Sequence, residues 1–245
     1  VILDDQLAFL NAWRAYLESK LGRAVTFVQR RSYREITQLI FSEQLDFAWV
    51  CGYPYARNKA FMRLLATPIY QGKPLYQSYL IVSQEDQQTR SFADLQGRIF
   101  AYSDPDSNSG FLVPQFDMLR EGLNPPALFR KSFFTYAHRK VVAAVGAGVA
   151  QAGAVDGYVW ETLARRFPQQ TSRTRVARKS DEYGFPPLVA RKSIEADQFS
   201  AMQATLVGMN KDAAGRALLH DLNLDGFVPG EERVFEVGRV VHARR

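Results

Sequence analysis

The chain has 245 residues, of which 47% are hydrophobic and 13% aromatic, enough for one large domain or two lobes with packed cores. This composition excludes a disordered protein, and no apolar stretch is long enough to cross a bilayer. The net charge of +6 suits an anionic ligand, a membrane surface or nucleic acid. Because the sequence has no zinc-finger, basic-zipper or RNA-binding signature, we expect no nucleic-acid partner.

Cysteine and histidine are scarce, which limits the chemistry that the chain can support. Cys51 is the single cysteine, so the chain can form neither an intrachain disulfide nor a multi-cysteine metal site. There are three histidines and no recognisable metal-ligand spacing, and neither a phosphate-binding Walker loop nor a dinucleotide glycine motif is present. We therefore expect no metal and no cofactor. The start at Val1, without a basic and apolar leader, predicts a processed or trimmed chain.

The first fifth of the chain alternates between helix-like and strand-like patterns. A helix is predicted to begin after Asp4-Asp5 and to end at Gly22, followed by a strand at residues 25–28. A second helix is predicted at residues 33–41 and a second strand at 45–50. This alternation predicts an α/β fold with parallel or mixed sheets and crossover helices.

The rest of the chain continues the alternation and predicts a second α/β half. Strands are predicted at residues 75–82, 98–102, 129–134, 151–155 and 188–191, and helices at 138–147, 158–166, 195–209 and 212–221. Ligands of such folds lie at the carboxyl ends of the strands, so we expect the binding site in the loops there.

The most informative segment is residues 104–114, a small polar cluster between a predicted strand and a predicted helix. Ser107 and Ser109 can donate hydrogen bonds to an oxyanion, and Gly110 lets a ligand approach the backbone closely. The free amides and the positive dipole end of a helix N-terminus also favour an anion. Serine and asparagine are equally the residues of an ordinary helix cap, so the segment alone leaves both interpretations open.

Several local patterns together resemble one family, the phosphate-, phosphite- and phosphonate-binding proteins of ABC importers. The similar segments are residues 45–56, the Tyr-x-Ser strand at 76–82, the turn at 92–97, the anion loop at 104–114, the histidine helix at 137–145 and the helix pair at 209–219. The resemblance spans residues 25–228. It implies the two-lobed type II periplasmic-binding-protein fold, with mixed sheets flanked by helices and two crossover strands.

The resemblance also implies how the chain is divided. Residues 1–82 and 185–245 would form the first lobe, and residues 83–184 the second lobe with the anion loop. The hinges would lie near residues 79–84 and 181–187, where the lobes would close over a bound ligand.

The roles of individual residues follow from the same resemblance. It implies that the oxygens of a phosphoryl-like head are held by Ser107, Asn108 and Ser109, with Tyr76, Ser78 and His138 reaching the same head. Tyr53 or Tyr55 would close over the ligand, and Tyr158 would also contact it. The protein would be a monomeric, non-catalytic solute-binding protein that hands its anion to an ABC permease. It would be periplasmic or otherwise extracytoplasmic, with or without a membrane anchor.

Departures from the family pattern narrow the expected ligand. Asn108 stands where the family has a threonine in the loop. The positions of the carboxylates that bind the amine of aminoalkylphosphonates fall at Tyr158 and near Pro186, neither of which is acidic. We therefore expect a smaller anion or one with an apolar tail, consistent with Tyr158, Trp160 and Phe185.

Two other functions remain as alternatives. The same fold serves as the ligand-sensing domain of histidine kinases and other signalling receptors, in which case the partner would be a fused signalling domain. A hydrolase would need Ser107 or Ser109 as nucleophile beside His138 and an aspartate at 104 or 106. The sequence lacks the Gly-x-Ser-x-Gly elbow typical of such enzymes, so we expect no enzymatic activity.

Overall fold

The computed structural model describes residues 7–235, which divide into two compact units. The continuous unit is the single segment Tyr76–Tyr183. The discontinuous unit combines residues 7–75 with residues 184–235. Within the described residues no helix has both the length and the apolar character needed to cross a membrane.

Helices and strands alternate along both units. The helices are α1 Leu7–Leu21, α2 Tyr33–Phe41, α3 Gly52–Arg57, α4 Val113–Arg120, α5 Pro125–Leu128, α6 His138–Gly146, α7 Gly157–Arg166, α8 Pro168–Thr171, α9 Ala196–Val207 and α10 Ala213–Leu222. The strands are β1 Phe47–Trp49, β2 Met62–Ile69, β3 Leu75–Ser83, β4 Ile99–Tyr102, β5 Lys131–Phe134, β6 Ala152–Asp156, β7 Thr174–Gly184, β8 Leu188–Arg191 and β9 Gly226–Pro229. A π-helical turn, Asn108–Leu112, runs directly into α4.

The sheet of the discontinuous unit has the strand order β1-β8-β2-β9. Strand β8 pairs antiparallel with β1 and β2, and β2 pairs antiparallel with β9. Two of these four strands come from before the continuous unit and two from after it, so this sheet joins the two separate segments of the chain.

The sheet of the continuous unit has the order β5-β4-β6-β3-β7 and is mixed. Strand β4 is parallel to both β5 and β6, whereas β3 is antiparallel to β6. The carboxyl ends of β4, β5 and β6 therefore lie at one edge of the sheet, where the loops that follow them meet. The prediction of an α/β fold with sheets flanked by helices is confirmed, and of the two sheets it is that of the continuous unit that is mixed.

Close packing sets α6 against this sheet. A side chain at Gly153 of β6 would lie 2.4 Å from Cγ1 of Val141 and 2.9 Å from the carbonyl oxygen of Ala101. Glycine at this position therefore lets α6 approach the strands. On the sheet, Phe100 stacks on Phe129 with ring centroids 4.5 Å apart, and both rings belong to the buried core. A core of this kind holds the loops at the strand ends in place.

Two sequence expectations differ from the structure. Residues 25–28 do not form a strand, because Phe27 packs instead against Trp13 of α1, with ring centroids 5.5 Å apart. Residues 76–82, which we assigned to the first lobe, belong to the continuous unit. The reason is register, since Ser78–Val82 of β3 pair with Asp156–Ala152 of β6.

Candidate anion-binding site

The candidate site begins with the loop that joins β4 to α4, which local hydrogen bonds hold in a tight turn. Asp104 Oδ1 accepts from the Asp106 amide at 2.7 Å, and the Asp104 carbonyl accepts from the Ser107 amide at 2.9 Å. Ser107 then caps the helical run, with its Oγ 3.0 Å from the Gly110 amide nitrogen. The cap interpretation of this segment is therefore correct for Ser107, and it leaves the hydroxyl proton of Ser107 for another acceptor.

Two hydrogen bonds attach this loop to β3. The hydroxyl of Ser78 donates to the carbonyl of Ser109 at 2.6 Å, and the amide Nδ2 of Asn108 donates to the hydroxyl of Tyr76 at 3.3 Å. Tyr76 and Ser78 lie on the same face of β3, as their two-residue spacing predicts. The single proton of Ser78 is committed to Ser109, so Ser78 orients the loop.

His138 enters the site as the first residue of α6, and its side chain is buried. Its Nδ1 accepts from the backbone amide of Asp156 at 3.0 Å. Because an amide can only donate, Nδ1 carries no proton, and the proton of the neutral ring is on Nε2. Burial lowers the pKa of His138 from 6.5 to about 3, so the ring is a neutral donor near pH 7.

The loop and His138 meet at Gly110. A Cβ atom at Gly110 would lie 1.7 Å from Oγ of Ser103 and 3.1 Å from Cε1 of His138. Ser103 follows β4, and its amide donates to the Gly110 carbonyl at 3.2 Å. The absence of a side chain at Gly110 is therefore what allows the anion loop, Ser103 and His138 to pack together.

Two serine hydroxyls of this region are buried without a hydrogen-bond partner among the described residues. They are Oγ of Ser103 and Oγ of Ser109, and both residues are 1% exposed. No described residue accepts a hydrogen bond from Nε2 of His138 either. Buried polar groups are normally hydrogen-bonded, so these donors indicate a place for an acceptor that does not belong to the protein.

Asp156 supports this arrangement from β6. Its backbone orients His138, and its Oδ1 caps α7 by accepting from the amides of Tyr158 at 2.9 Å and Val159 at 3.3 Å. Burial raises the pKa of Asp156 from 3.8 to about 7. Tyr158, expected to contact the ligand, is 2% exposed in the first turn of α7.

Three other sequence-predicted residues belong to the discontinuous unit. Tyr53 and Tyr55 belong to α3 of the discontinuous unit. The hydroxyl of Tyr53 accepts from Nη1 of Arg57 at 3.0 Å, and Tyr55 packs edge-to-face on Phe235 with ring centroids 5.3 Å apart. Phe185, expected beside an apolar tail, is fully buried next to Tyr70 in the same unit.

Neither Ser103 nor Asp156 was assigned to the site from the sequence. Each ends or directly follows a strand of the sheet, β4 and β6 respectively. Polar residues at the carboxyl ends of neighbouring parallel strands are a signal of a ligand site. That signal could have identified both, but it requires knowing that β4 and β6 are neighbours.

Comparison with known proteins identifies relatives of this chain. The family model described as "ABC transporter, phosphonate, periplasmic substrate-binding protein" matches residues 4–235. The phosphate-import protein PhnD of Mycolicibacterium smegmatis is 27% identical over 177 residues, which cover 67% of this chain and 55% of that protein. A phosphite-binding protein PhnD1 of Prochlorococcus marinus matches over 52% of its length, so the chain spans about half the length of these curated relatives.

Solved structures share the fold. PhnD1 from Prochlorococcus marinus, solved in complex with methylphosphonate, has a TM-score of 0.86 at 19% identity, with 96% of this chain and 92% of that one covered. A binding-protein component of a phosphonate ABC transporter from Pseudomonas aeruginosa has a TM-score of 0.84 at 21% identity, with 93% and 78% covered.

Proposed function

The chain belongs to the family of periplasmic phosphonate-binding proteins of ABC transporters, and from this premise we propose that it captures a small phosphorus oxyanion. The ligand would be a phosphonate, phosphite or phosphate. Its oxygens would accept hydrogen bonds from Ser107, Ser109 and Nε2 of His138. The protein would bind this anion in the periplasm and deliver it to the permease of an ABC importer.

The observation that supports the proposal most directly is the buried hydroxyl of Ser109, which has no partner among the described residues, together with the protonated Nε2 of the buried residue His138. The Ser109 hydroxyl and Nε2 of His138 both have a proton to donate and no described acceptor. Hydrogen bonds to a charged acceptor contribute about 1.5–3 kcal/mol each, so several of them can hold an oxyanion without a metal.

The same geometry argues against a serine hydrolase. A serine nucleophile needs a histidine nitrogen that is unprotonated and faces the hydroxyl. The unprotonated Nδ1 of His138 instead accepts from the backbone of Asp156. The nitrogen left for the site carries a proton, so His138 is suited to bind an anion and unsuited to activate a serine.

Isothermal titration with phosphite, phosphate, methylphosphonate and sulfate tests the proposal, using protein that has been unfolded and refolded to remove any carried ligand. We expect at least one phosphorus oxyanion to bind in the micromolar range or tighter. The variant Ser109→Ala should bind that anion about tenfold or more weakly, because one charge-assisted hydrogen bond is lost. Its melting temperature should not fall, since the hydroxyl that is removed has no partner in the protein.

The matched control is Ser200→Ala, which removes a serine hydroxyl from an exposed position of α9. It should change neither affinity nor melting temperature. Wild-type protein that binds none of the phosphorus oxyanions, or that prefers sulfate, would contradict the proposed ligand class. Equal affinities of wild type and Ser109→Ala would show that the anion lies elsewhere.

A further inference from the structure

Three aromatic rings lead away from the anion loop, and we call Phe111, Phe134 and Tyr136 the aromatic strip. Phe111 directly follows Gly110, and its ring centroid lies 5.1 Å from that of Phe134. The ring of Phe134 lies 6.4 Å from that of Tyr136, two residues before His138. The strip thus connects the two segments that carry the proposed anion donors.

Tyr136 has an unusual backbone conformation. Its φ is +60°, in the left-handed region that bulky residues rarely adopt. Hydrogen bonds on both sides hold it there: its amide donates to the Ser103 carbonyl at 2.6 Å, and Thr135 Oγ1 donates to the Ala137 carbonyl at 2.9 Å. Conformations of this kind persist where the surroundings over-determine them, and they cluster at functional sites.

Tyr136 also contributes little to the core. Its side chain is 52% exposed, whereas Phe111 and Phe134 are half-buried and pack against the core of the continuous unit. The left-handed backbone costs free energy for a residue with a side chain, and about half of this ring stays in contact with water. Because the ring contributes little to folding, its position next to the anion loop indicates a role in ligand binding.

We propose that Tyr136 determines ligand specificity by packing its ring against the organic substituent of an alkyl- or arylphosphonate. This inference rests on the proposed function, since the phosphonate head would be held by Ser107, Ser109 and His138. A carbon substituent on phosphorus cannot hydrogen-bond, and an aromatic face is the surface that favours it. Phosphite and phosphate have no such substituent and would gain nothing from the ring.

Titration with phosphite and phenylphosphonate tests the inference in wild type, Tyr136→Gly and Tyr136→Phe. Glycine adopts a φ of +60° without strain, so the loop that leads to His138 keeps its conformation. In Tyr136→Gly we expect the affinity for phenylphosphonate, relative to that for phosphite, to fall about fivefold or more. Tyr136→Phe retains the ring and should keep the wild-type ratio.

The control variant is Gln71→Gly, which makes the same backbone change at an exposed residue with φ +51° in the discontinuous unit. It should leave the affinity ratio unchanged. An unchanged ratio in Tyr136→Gly would overturn the inference, as would wild-type protein that binds phosphite but not phenylphosphonate. If wild-type protein binds none of phosphite, phenylphosphonate, methylphosphonate and phosphate, the proposed function itself fails and the inference fails with it.

Discussion

In the proposed site, His138 would donate a hydrogen bond to the anion from a neutral ring, without a positive charge. The backbone amide of Asp156 occupies Nδ1, so the proton of the neutral ring stays on Nε2. Because burial lowers the pKa of His138 to about 3, the ring does not gain its second proton in the physiological range. The donor is therefore present at every pH at which the protein is expected to work.

This leads to a prediction for the unliganded protein. Between pH 5 and pH 8 the imidazole signals of His138 in an NMR titration should keep the chemical shifts of a neutral ring, apart from a small change as the neighbouring Asp156 ionises, whereas an ordinary histidine becomes charged near pH 6.5. The measurement is a proton–carbon correlation spectrum of the ring, with His138→Gln used to assign the signal. A full change to the chemical shifts of a charged imidazolium, with a midpoint near 6.5, would show that the ring is exposed or that its Nδ1 is not engaged by the backbone.

At the scale of elements, the anion loop depends on Gly110 being a glycine. Gly110→Ala places a methyl group within 3 Å of both Oγ and Cβ of Ser103, so one of the two segments must move. We expect a loss of about 1–3 kcal/mol in the free energy of unfolding, the usual cost of overpacking, measured by urea denaturation.

The clash predicts a coupling between the two residues. The double variant Gly110→Ala, Ser103→Gly should be less destabilised than the sum of its single variants, because both contacted atoms are then gone. Gly146→Ala is the control: at the end of α6 its Cβ would meet only ordinary contacts, 3.5 Å from Cβ of Arg173. Strict additivity of the effects of Gly110→Ala and Ser103→Gly would contradict the packing described for the loop. So would a loss of stability in Gly146→Ala as large as that in Gly110→Ala.

Helices and strands whose formation depends on neighbouring residues could be predicted from the sequence. Those that depend on pairing partners far along the chain could not. The helix at 33–41 has its predicted bounds, because Ser32 caps it and its apolar residues recur with helical spacing. Strand β2 was not predicted, since its pairing partners β8 and β9 lie more than a hundred residues away. In the anion loop Ser107, Asn108 and Ser109 were proposed as ligand-binding residues from the loop's composition and the family resemblance, and that role stays a prediction. Ser103 and Tyr136 were missed because their place beside that loop depends on how β4 and β5 pair.

At the scale of the whole molecule, two aspartates that both cap helices change the stability of the protein in opposite directions as the pH rises. Both cap helices, Asp156 at α7 and Asp212 at α10. Burial raises the pKa of Asp156 to about 7, whereas hydrogen bonding from the Gly215 amide and the nearby Lys20 lower that of Asp212 to about 2. Between pH 4 and pH 7 the folded protein keeps a proton on Asp156 that the unfolded chain has lost. Stability from this group therefore falls as the pH rises.

Asparagine caps a helix as well as aspartate but does not ionise, so it isolates these effects. The free energy of unfolding of Asp156→Asn, relative to wild type, should rise between pH 4 and pH 7, by at most about 1.4 kcal/mol per pH unit. Asp212→Asn should show the opposite trend: its relative stability should fall as the pH rises from about 2 to 4. Denaturant titrations across pH check both. If the difference in free energy of unfolding between Asp156→Asn and wild type did not change between pH 4 and pH 7, the carboxyl of Asp156 would be ionised over that whole range.

The strand order of the discontinuous unit has a consequence for the order of events during synthesis. Strands β1 and β2 leave the ribosome early, but the strand that both of them flank, β8, begins only at Leu188. The continuous unit holds its paired strands β3, β4, β5 and β6 in the segment made in between. At translation speeds of roughly 5–20 residues per second, the backbone groups of β1 and β2 that pair with β8 stay unpaired with it for on the order of ten seconds. The segment inserted between these strands can thus fold first, and β1 and β2, although made before it, become native after it.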